Sequence, residues 1–448
     1  MGRNLSILLG NCAHKSGVCL VWADRERLQS KTTDHAMFVE KCRACGEGPL
    51  ARFLDLGETP PADQFLHKHQ LGEHRDSYPL QVAVCEDCGF VQLNYIVPPE
   101  ILYCDDYPYE SSTTTAGRRH WGEFARTTTR LLGLTKDDLV VDIGSNVGVL
   151  LQMFKEQGTK VLGVDPAANI AEIANKNGIE TVAAFFNSES AKKVVASKGQ
   201  ASVITGTNVF AHVGDLHDLM QAVSILLTER GTFIIEAPYF LELLHSLEYD
   251  TIYHEHLSYL SVKPLVRFFK QFGMEIFDVQ LRDIHGGSIR MFVRRIGVSS
   301  SPVAPIVEQM LANEEREKIY ELDTLRKFAQ GVANNRLALR AMLTGLKQSG
   351  SKIVAVSAPA KGMTLLNYCG LGSDFLDFVT EKSRLKIGRY TPGVRLEVVP
   401  DDMLLKHQPD YALLLAWNFA EEIMNNLKEF SDRGGKFIIP IPTPRIVG

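Results

Sequence analysis

Residues 139–151 read LVVDIGSNVGVLL: an apolar run bearing Asp142 near its end, a turn holding Gly144 and Gly148, and the start of a helix. A short run rich in branched apolar residues is the pattern of a strand buried on both faces. Glycines directly behind such a strand let the backbone approach a ligand closely, so the segment reads as a nucleotide-cradling loop. Its spacing is shorter than the dinucleotide fingerprint, and Asn146 stands where a middle glycine is common. A second strand at 161–165 ends in Asp165, 23 residues after Asp142, where a carboxylate can accept both hydroxyls of a ribose. Further strands are expected at 202–205, 232–236, 275–279 and 288–294, separated by helical stretches. That alternation implies an α/β fold with a doubly wound sheet and a ligand at the carboxyl ends of its strands. The DIGxNxG form, without GxGxxG, favours S-adenosylmethionine over NAD.

Working outward, the chain has 448 residues, enough for about two to four domains with cores of their own. A net charge of −5 leaves no basic excess to neutralise a phosphate backbone, so no nucleic-acid partner is expected. No apolar run approaches the ~18 to 20 residues that span a bilayer. A membrane is therefore excluded as a partner, and a cytoplasmic address is expected. In residues 1–36, Cys12, His14, Lys15 and Asp24 interrupt every stretch that would serve as a signal-peptide core. This part reads as an appended, poorly ordered extension, with Met37 an alternative start. Gly2 and Ser6 fit a short myristoylation pattern that is often met by chance.

Cys42-Arg43-Ala44-Cys45 and Cys85-Glu86-Asp87-Cys88 form two CxxC turns. Two such turns complete the four-thiolate shell that structural zinc prefers. The 39 residues between them are expected to fold into a small subdomain with its own strands. Gly46 and Gly89 follow the second ligand of each pair and ease the turn. A redox dithiol or two disulfides are the competing readings, disfavoured in a reducing compartment. Cys12, Cys19, Cys104 and Cys369 lack partner spacing and read as ordinary thiols.

Thr251-Ile252-Tyr253-His254-Glu255-His256 crowds ionisable side chains together behind an expected apolar strand. Burying them unpaired is costly, so the stretch is expected to face a polar cleft where proton transfer is useful. His254 is the weaker of the two histidines as a catalytic candidate.

Taken together, the CxxC pairs, Tyr107-Pro108-Tyr109-Glu110-Ser111-Ser112, the DIGSNVG loop, Asn208-Val209-Phe210-Ala211-His212-Val213, YHEHLSYLS at 253–261 and His285-Gly286-Gly287-Ser288 make the chain resemble the sugar C-methyltransferase family. The likeness covers nearly everything after residue 40, including KGMTLLNYCG and RYTPG. It implies a class I S-adenosylmethionine methyltransferase core (105–300), an N-terminal four-cysteine zinc module (38–104) after an extension (1–37), and a second Rossmann-like domain (301–448) that helps bind a nucleotide-linked ketosugar. Carried over by position, Tyr107, His212, Tyr253, Glu255 and His256 match active-site residues. Asp142, Gly144, Asn146, Gly148, Asp165 and Asn208 are the cofactor-binding candidates. Val147 and Ser357-Ala358-Pro359-Ala360 depart from the family pattern, where an acid and a glycine-rich turn are usual.

The implied chemistry is methylation of a carbon beside the ketone of a nucleotide-linked 4-keto deoxysugar. A carbon next to a ketone becomes nucleophilic as an enolate once a base removes its proton. His256 is the candidate base. Tyr107, Tyr253 and His212 are candidate donors to the enolate oxygen, and Glu255 orients His256 or binds a sugar hydroxyl or amine. Packing roles stay open for Tyr107, His212 and the Phe185-Phe186 pair. O- or N-methylation of a similar sugar, or a non-catalytic zinc-containing protein that binds sugar nucleotides, are the alternatives. A monomer or homodimer is expected.

In the C-terminal half, residues 305–348 read as a helical link between domains, with Glu314 to Lys318 as its solvated face. Strands are expected at 352–356, 375–379, 411–415 and 436–440. Lys361, Lys386, Arg389 and Tyr390 offer cationic and stacking groups suited to a diphosphate and base.

Overall fold

The computed structural model describes residues 37–103, 115–284 and 286–448. Tyr107, Cys104, His285 and the 1–36 extension lie outside the described residues.

The chain begins with β1 (Met37–Phe38), β2 (Leu50–Thr59), β3 (Tyr78–Cys85), β4 (Val91–Leu93) and β5 (Tyr95–Ile96). β2, β3 and β4 pair antiparallel in sequence order, with the two CxxC turns at the ends of the ladder. Leu80, Val82 and Val84 alternate along β3 and are buried, as a period of two requires. So the residues between the cysteine pairs do fold around strands of their own.

The next sheet contains β6 (Leu139–Ile143), β7 (Lys160–Asp165), β8 (Thr181–Ala183), β9 (Ala201–Thr207) and β10 (Leu227–Pro238). After β11 (Ser258–Tyr259) it is completed by β12 (Met274–Arg282) and β13 (Ser288–Arg295). The order is β12-β13-β10-β9-β6-β7-β8. The five strands from β6 to β10 run parallel, and β13 is antiparallel to both of its neighbours. All five residues of β6 are buried, which is why its sequence is continuously apolar around Asp142. Connecting helices start on side-chain caps where the sequence supplies them. Asn187 accepts from Glu189 N and Ser190 N, and Asp215 accepts from His217 N and Asp218 N. Strand order reverses between β6 and β9, which places the mouth of the sheet at their carboxyl ends.

β11 departs from the expected organisation. It begins two residues after His256, yet pairs antiparallel with β4 in the sheet of the cysteine module, Ser258 opposite Gln92 and Tyr259 opposite Val91. Nor does the YHEH segment follow a strand directly. The helix Phe240–His245 and a single turn at Tyr249–Thr251 precede it.

The 305–348 stretch is two helices, Pro305–Arg316 and Leu322–Gln348, broken where Lys318 adopts φ +55°. The solvated-face reading fails at Glu314, which is fully buried. Its carboxylate accepts from Tyr239 Oη (2.9 Å), Val262 N (2.7 Å), Lys263 N (2.9 Å) and Tyr320 Oη (2.6 Å). Val262 and Lys263 open the helix Val262–Lys270, where Ser261 makes no side-chain cap, so Glu314 satisfies that helix start from a distance.

The last sheet contains β14 (Ile353–Val356), β15 (Val379–Glu381), β16 (Val398–Pro400), β17 (Tyr411–Leu414), β18 (Lys436–Ile439) and β19 (Arg445–Val447). Its order is β16-β15-β14-β17-β18-β19, with only β19 antiparallel. The strand expected at 375–379 starts later. Phe375 N and Leu376 N bond back to Gly372 O in a turn, and pairing with β14 begins at Val379.

Candidate active site

The four cysteines come together. Gly46 N and Gly89 N close the two CxxC turns on Cys42 O and Cys85 O (2.9 Å each), with both glycines at positive φ. All four Sγ atoms lie within 4.8 Å of one another, with Cys42–Cys88 at 3.6 Å and Cys45–Cys85 at 3.7 Å. Zinc–sulfur bonds of about 2.3 Å in a tetrahedron need sulfur–sulfur edges of about 3.8 Å, so this shell fits structural zinc. Among the described residues no histidine joins the group.

A cavity of about 850 Å³ opens at the carboxyl ends of β6, β7 and β9. Asp142, Gly144, Asn146, Asp165 and Asn208 line it, whereas Gly148 does not. Gly148 serves instead as the N-cap of the helix Val149–Glu156, at φ +81°. Gly144 has φ +61°, and a Cβ there would lie 2.4 Å from Val209 Cγ2, so the loop requires glycine. Asp165 fixes the loop by accepting from Asn146 N and Ala167 N (2.9 Å each), one bond per oxygen. A carboxylate has about four acceptor sites, so it keeps capacity for a diol. Asp142 accepts from Thr205 Oγ1 (2.6 Å), and burial pushes its carboxyl up to about 7. Phe185 and Phe186 also line the cavity and give it an apolar wall. This donor set fits S-adenosylmethionine, with Asp165 and Asn146 positioned to hold it and the phenylalanines to pack against it.

Tyr253, Glu255, His256 and His212 line the same cavity. His256 donates from Nδ1 to Thr251 O (2.7 Å), which leaves Nε2 as the acceptor, here taking the Tyr253 hydroxyl at 2.6 Å. The His212 ring lies 5.0 Å from that of His256 and stacks on Tyr103 at 6.1 Å. Burial pushes His212 down to about 4, and its Nε2 meets no partner among the described residues. Glu255 is buried, and Tyr103 is pushed well above the usual phenol range by burial first and by Glu255 and Asp63 next. Sequence reasoning missed Tyr103 and Asp63. Neither sits in a recognisable motif, and only the fold brings them to the cavity.

His254 points elsewhere, with Nε2 donating to Tyr78 O at 3.1 Å. Burial lowers its pKa from the usual 6.5 to about 4, so it is neutral at physiological pH. As pH falls through that window the unfolded chain takes up a proton that the folded site refuses, and the histidine's contribution to stability is lost. His254→Ala is therefore expected to cost roughly 1–3 kcal/mol at neutral pH and progressively less on acidification, read by urea unfolding. A penalty that grows on acidification would contradict this.

On the opposite wall, Lys361 and Lys386 reach the cavity, whereas Arg389 and Tyr390 do not line it. Lys386 is buried, donating to Ala358 O (2.9 Å) and Asp63 Oδ1 (3.3 Å). Lys361 lies over the Trp417 ring at 4.8 Å and donates to Asn418 Oδ1 at 3.3 Å. The backbone of Tyr390 instead pairs with Leu66, 2.8 Å in each direction. Ser357 takes φ +69°, and Ala358 N donates to Glu381 Oε2 at 2.8 Å, a strand-end carboxylate placed much as Asp165 is in the other sheet.

Family profiles match the chain in three consecutive segments: a zinc binding domain over residues 42–103, a methyltransferase domain over 117–279 and a C-methyltransferase C-terminal domain over 283–442. The C-methyltransferase NovU of Streptomyces niveus is 37% identical over 409 residues, 91% of this chain and 97% of that protein. Among solved structures, an S-adenosylmethionine-dependent methyltransferase of Clostridium acetobutylicum is 14% identical, covering 40% of this chain and 92% of its own, at a TM-score of 0.33. The plantazolicin methyltransferase BpumL is 15% identical over 40% of this chain and 85% of its own, at 0.33. With its class I core and strand-end acids, the chain is an S-adenosylmethionine-dependent methyltransferase that also carries a zinc site. It belongs to the C-methyltransferase family, which decides for carbon over oxygen or nitrogen and against a non-catalytic binding protein. Among the described residues, no helix is long and apolar enough to cross a membrane.

Proposed function

We propose that the enzyme methylates a carbon beside the ketone of a nucleotide-linked 4-keto deoxysugar through an enolate, with His256 as the base. The observation that carries this reading is the fixed tautomer of His256: Nδ1–H is committed to Thr251 O, and the basic Nε2 sits at the cavity beside a hydroxyl donor. A ketone oxygen arriving near Tyr253 would draw the tyrosine's hydrogen bond to itself. The same exchange frees the Nε2 lone pair to take the proton from the adjacent carbon. An imidazole of ordinary basicity is far too weak for this unaided. Donors to the developing oxyanion, each worth about 2.7–4 kcal/mol in comparable sites, make up the difference. Tyr253 is the first of these, with Tyr107 and His212 as further donors; His212 is held neutral by burial and can donate without carrying charge. Glu255 receives a sugar hydroxyl or amine. Lys361 and Lys386 supply positive charge for a diphosphate, Lys386 exchanging Asp63 for the ligand. S-adenosylmethionine, when bound, supplies an electrophilic methyl group.

Incubating the enzyme with a nucleotide-linked 4-ketosugar in deuterium oxide is expected to place deuterium on the carbon beside the ketone. With the methyl donor added, mass spectrometry and NMR of the product should find the new methyl on that carbon. A methyl on oxygen or nitrogen, or no turnover across a panel of nucleotide-linked ketosugars, would sink the proposal.

A further inference from the structure

Arg43 lies between two metal ligands, inside the first CxxC turn, yet its guanidinium, which passes over the Phe90 ring of the module, makes its hydrogen bonds to segments outside it. Nη1 donates to Val213 O at 2.8 Å and Gly214 O at 3.4 Å, while Nη2 donates to Leu257 O and to Ser258 Oγ, the latter at 2.6 Å. Val213 follows His212 and Leu257 follows His256, so one planar fork grips the backbone immediately behind both histidines. The other end of Arg43 is equally fixed. Its backbone N donates to Gln92 Oε1 at 2.8 Å, and Gln92 on β4 is the residue that faces Ser258 of β11. Leu93 N adds a bond to Leu257 O at 3.0 Å. The loop behind His256 is thus strung between a strand of the cysteine module and an arginine whose Cα is set by Cys42 and Cys45.

We infer that Arg43 is a positioning residue: it transmits the geometry of the four-cysteine metal site to His212 and His256 and holds their rings in register across the cavity. A guanidinium suits this task because its rigid fork offers several donors in one plane, whereas a lysine ammonium is a single point that cannot serve both loops. A zinc ion on four thiolates has a net charge of about −2, which favours a cation held beside it. The metal then acts at a distance from the reaction, as the anchor of the fork.

The inference rests on the reading of His256 as the base only for its consequence in turnover, and the test separates the two. In full-length, zinc-loaded protein, Arg43→Ala and Arg43→Lys are each expected to keep zinc content and S-adenosylmethionine affinity within about twofold of wild type. Turnover should fall roughly 10²-fold, the scale of a misplacement of about 1 Å. The ring resonances of His212 and His256, assigned by their own substitutions, should both shift, while those of His254 stay in place. Free guanidinium should partly restore Arg43→Ala, and methylammonium should not. Chelating the zinc from wild-type protein should move the same two histidines. Shifts in both histidines with no change in turnover would uphold the clamp and count instead against His256 as the base. Unshifted histidines in a metal-loaded Arg43 variant would overturn the inference. So would a loss of turnover that tracks loss of zinc alone. If Arg43→Ala fails to fold, Arg43→Lys, which keeps the charge and most of the volume, carries the same readouts.

Discussion

His256→Ala is expected to lower turnover by about 10³-fold or more while leaving S-adenosylmethionine affinity within about twofold. General-base catalysis by a positioned side chain contributes typically about 10²–10⁴-fold. His212 also lines the cavity, but burial holds it down to about 4, so it is a poor proton acceptor. Tyr253 has its hydroxyl directed at His256 Nε2 and would lose that acceptor in the variant. Cofactor affinity should survive because Gly144 and Asn146, in the loop after β6, are held by β7 rather than by the histidine: Asn146 N donates to Asp165 and Gly144 N to Val164 O. Steady-state kinetics with calorimetric titration of the methyl donor would check both halves. Turnover within tenfold of wild type would reject His256 as the base.

Glu314→Ala is expected to destabilise the fold by about 3–5 kcal/mol, the second large effect, with little bearing on chemistry in whatever fraction stays folded. The substitution leaves four donors without their acceptor: the hydroxyls of Tyr239 and Tyr320 and the amides of Val262 and Lys263. Burial pushes the carboxyl up, and those four bonds favour its charged form. Glu314→Gln should cost less, since the amide oxygen can still accept while the amide nitrogen faces donors. Urea unfolding of the three proteins gives the order wild type, Gln, Ala. Equal stability of the alanine variant would mean that the helix Val262–Lys270 caps itself by another route.

Glu314 also illustrates what local sequence could convey. Its neighbours form a charge run, which reads as a wet surface, but Val307 and Met310 are buried, and Glu314 follows them at the helical spacings that return a residue to the same stripe. The periodicity was legible; the run of charges obscured it. By contrast, the loop after β6, the acids at the ends of β6 and β7 and the two CxxC turns were legible because each is a short segment whose chemistry depends on its own spacing. Tyr253, Glu255 and His256 likewise share one short segment, and all three line the cavity. What stayed hidden depends on distant pairing. The Lys386–Asp63 contact joins residues 323 positions apart. Tyr103 meets His212 only through the fold, and Arg43 looks like a filler between two cysteines until its guanidinium is followed to Leu257. The late start of β15 belongs to the same class, because Leu376 and Phe378 are apolar and buried whether they sit in a turn or in a ladder.

Because β11 is a rung of the cysteine module's ladder although it begins two residues after His256 in the chain, the amino-terminal segment and the loop that carries His256 form one structural unit. A chimera that grafts a relative's cysteine module onto this sheet would import that relative's alignment of the imidazoles along with it. Swaps should therefore succeed or fail according to the match between the donor's equivalents of Gln92 and Arg43 and the host's Leu257-Ser258, whatever the overall resemblance of the grafted pieces.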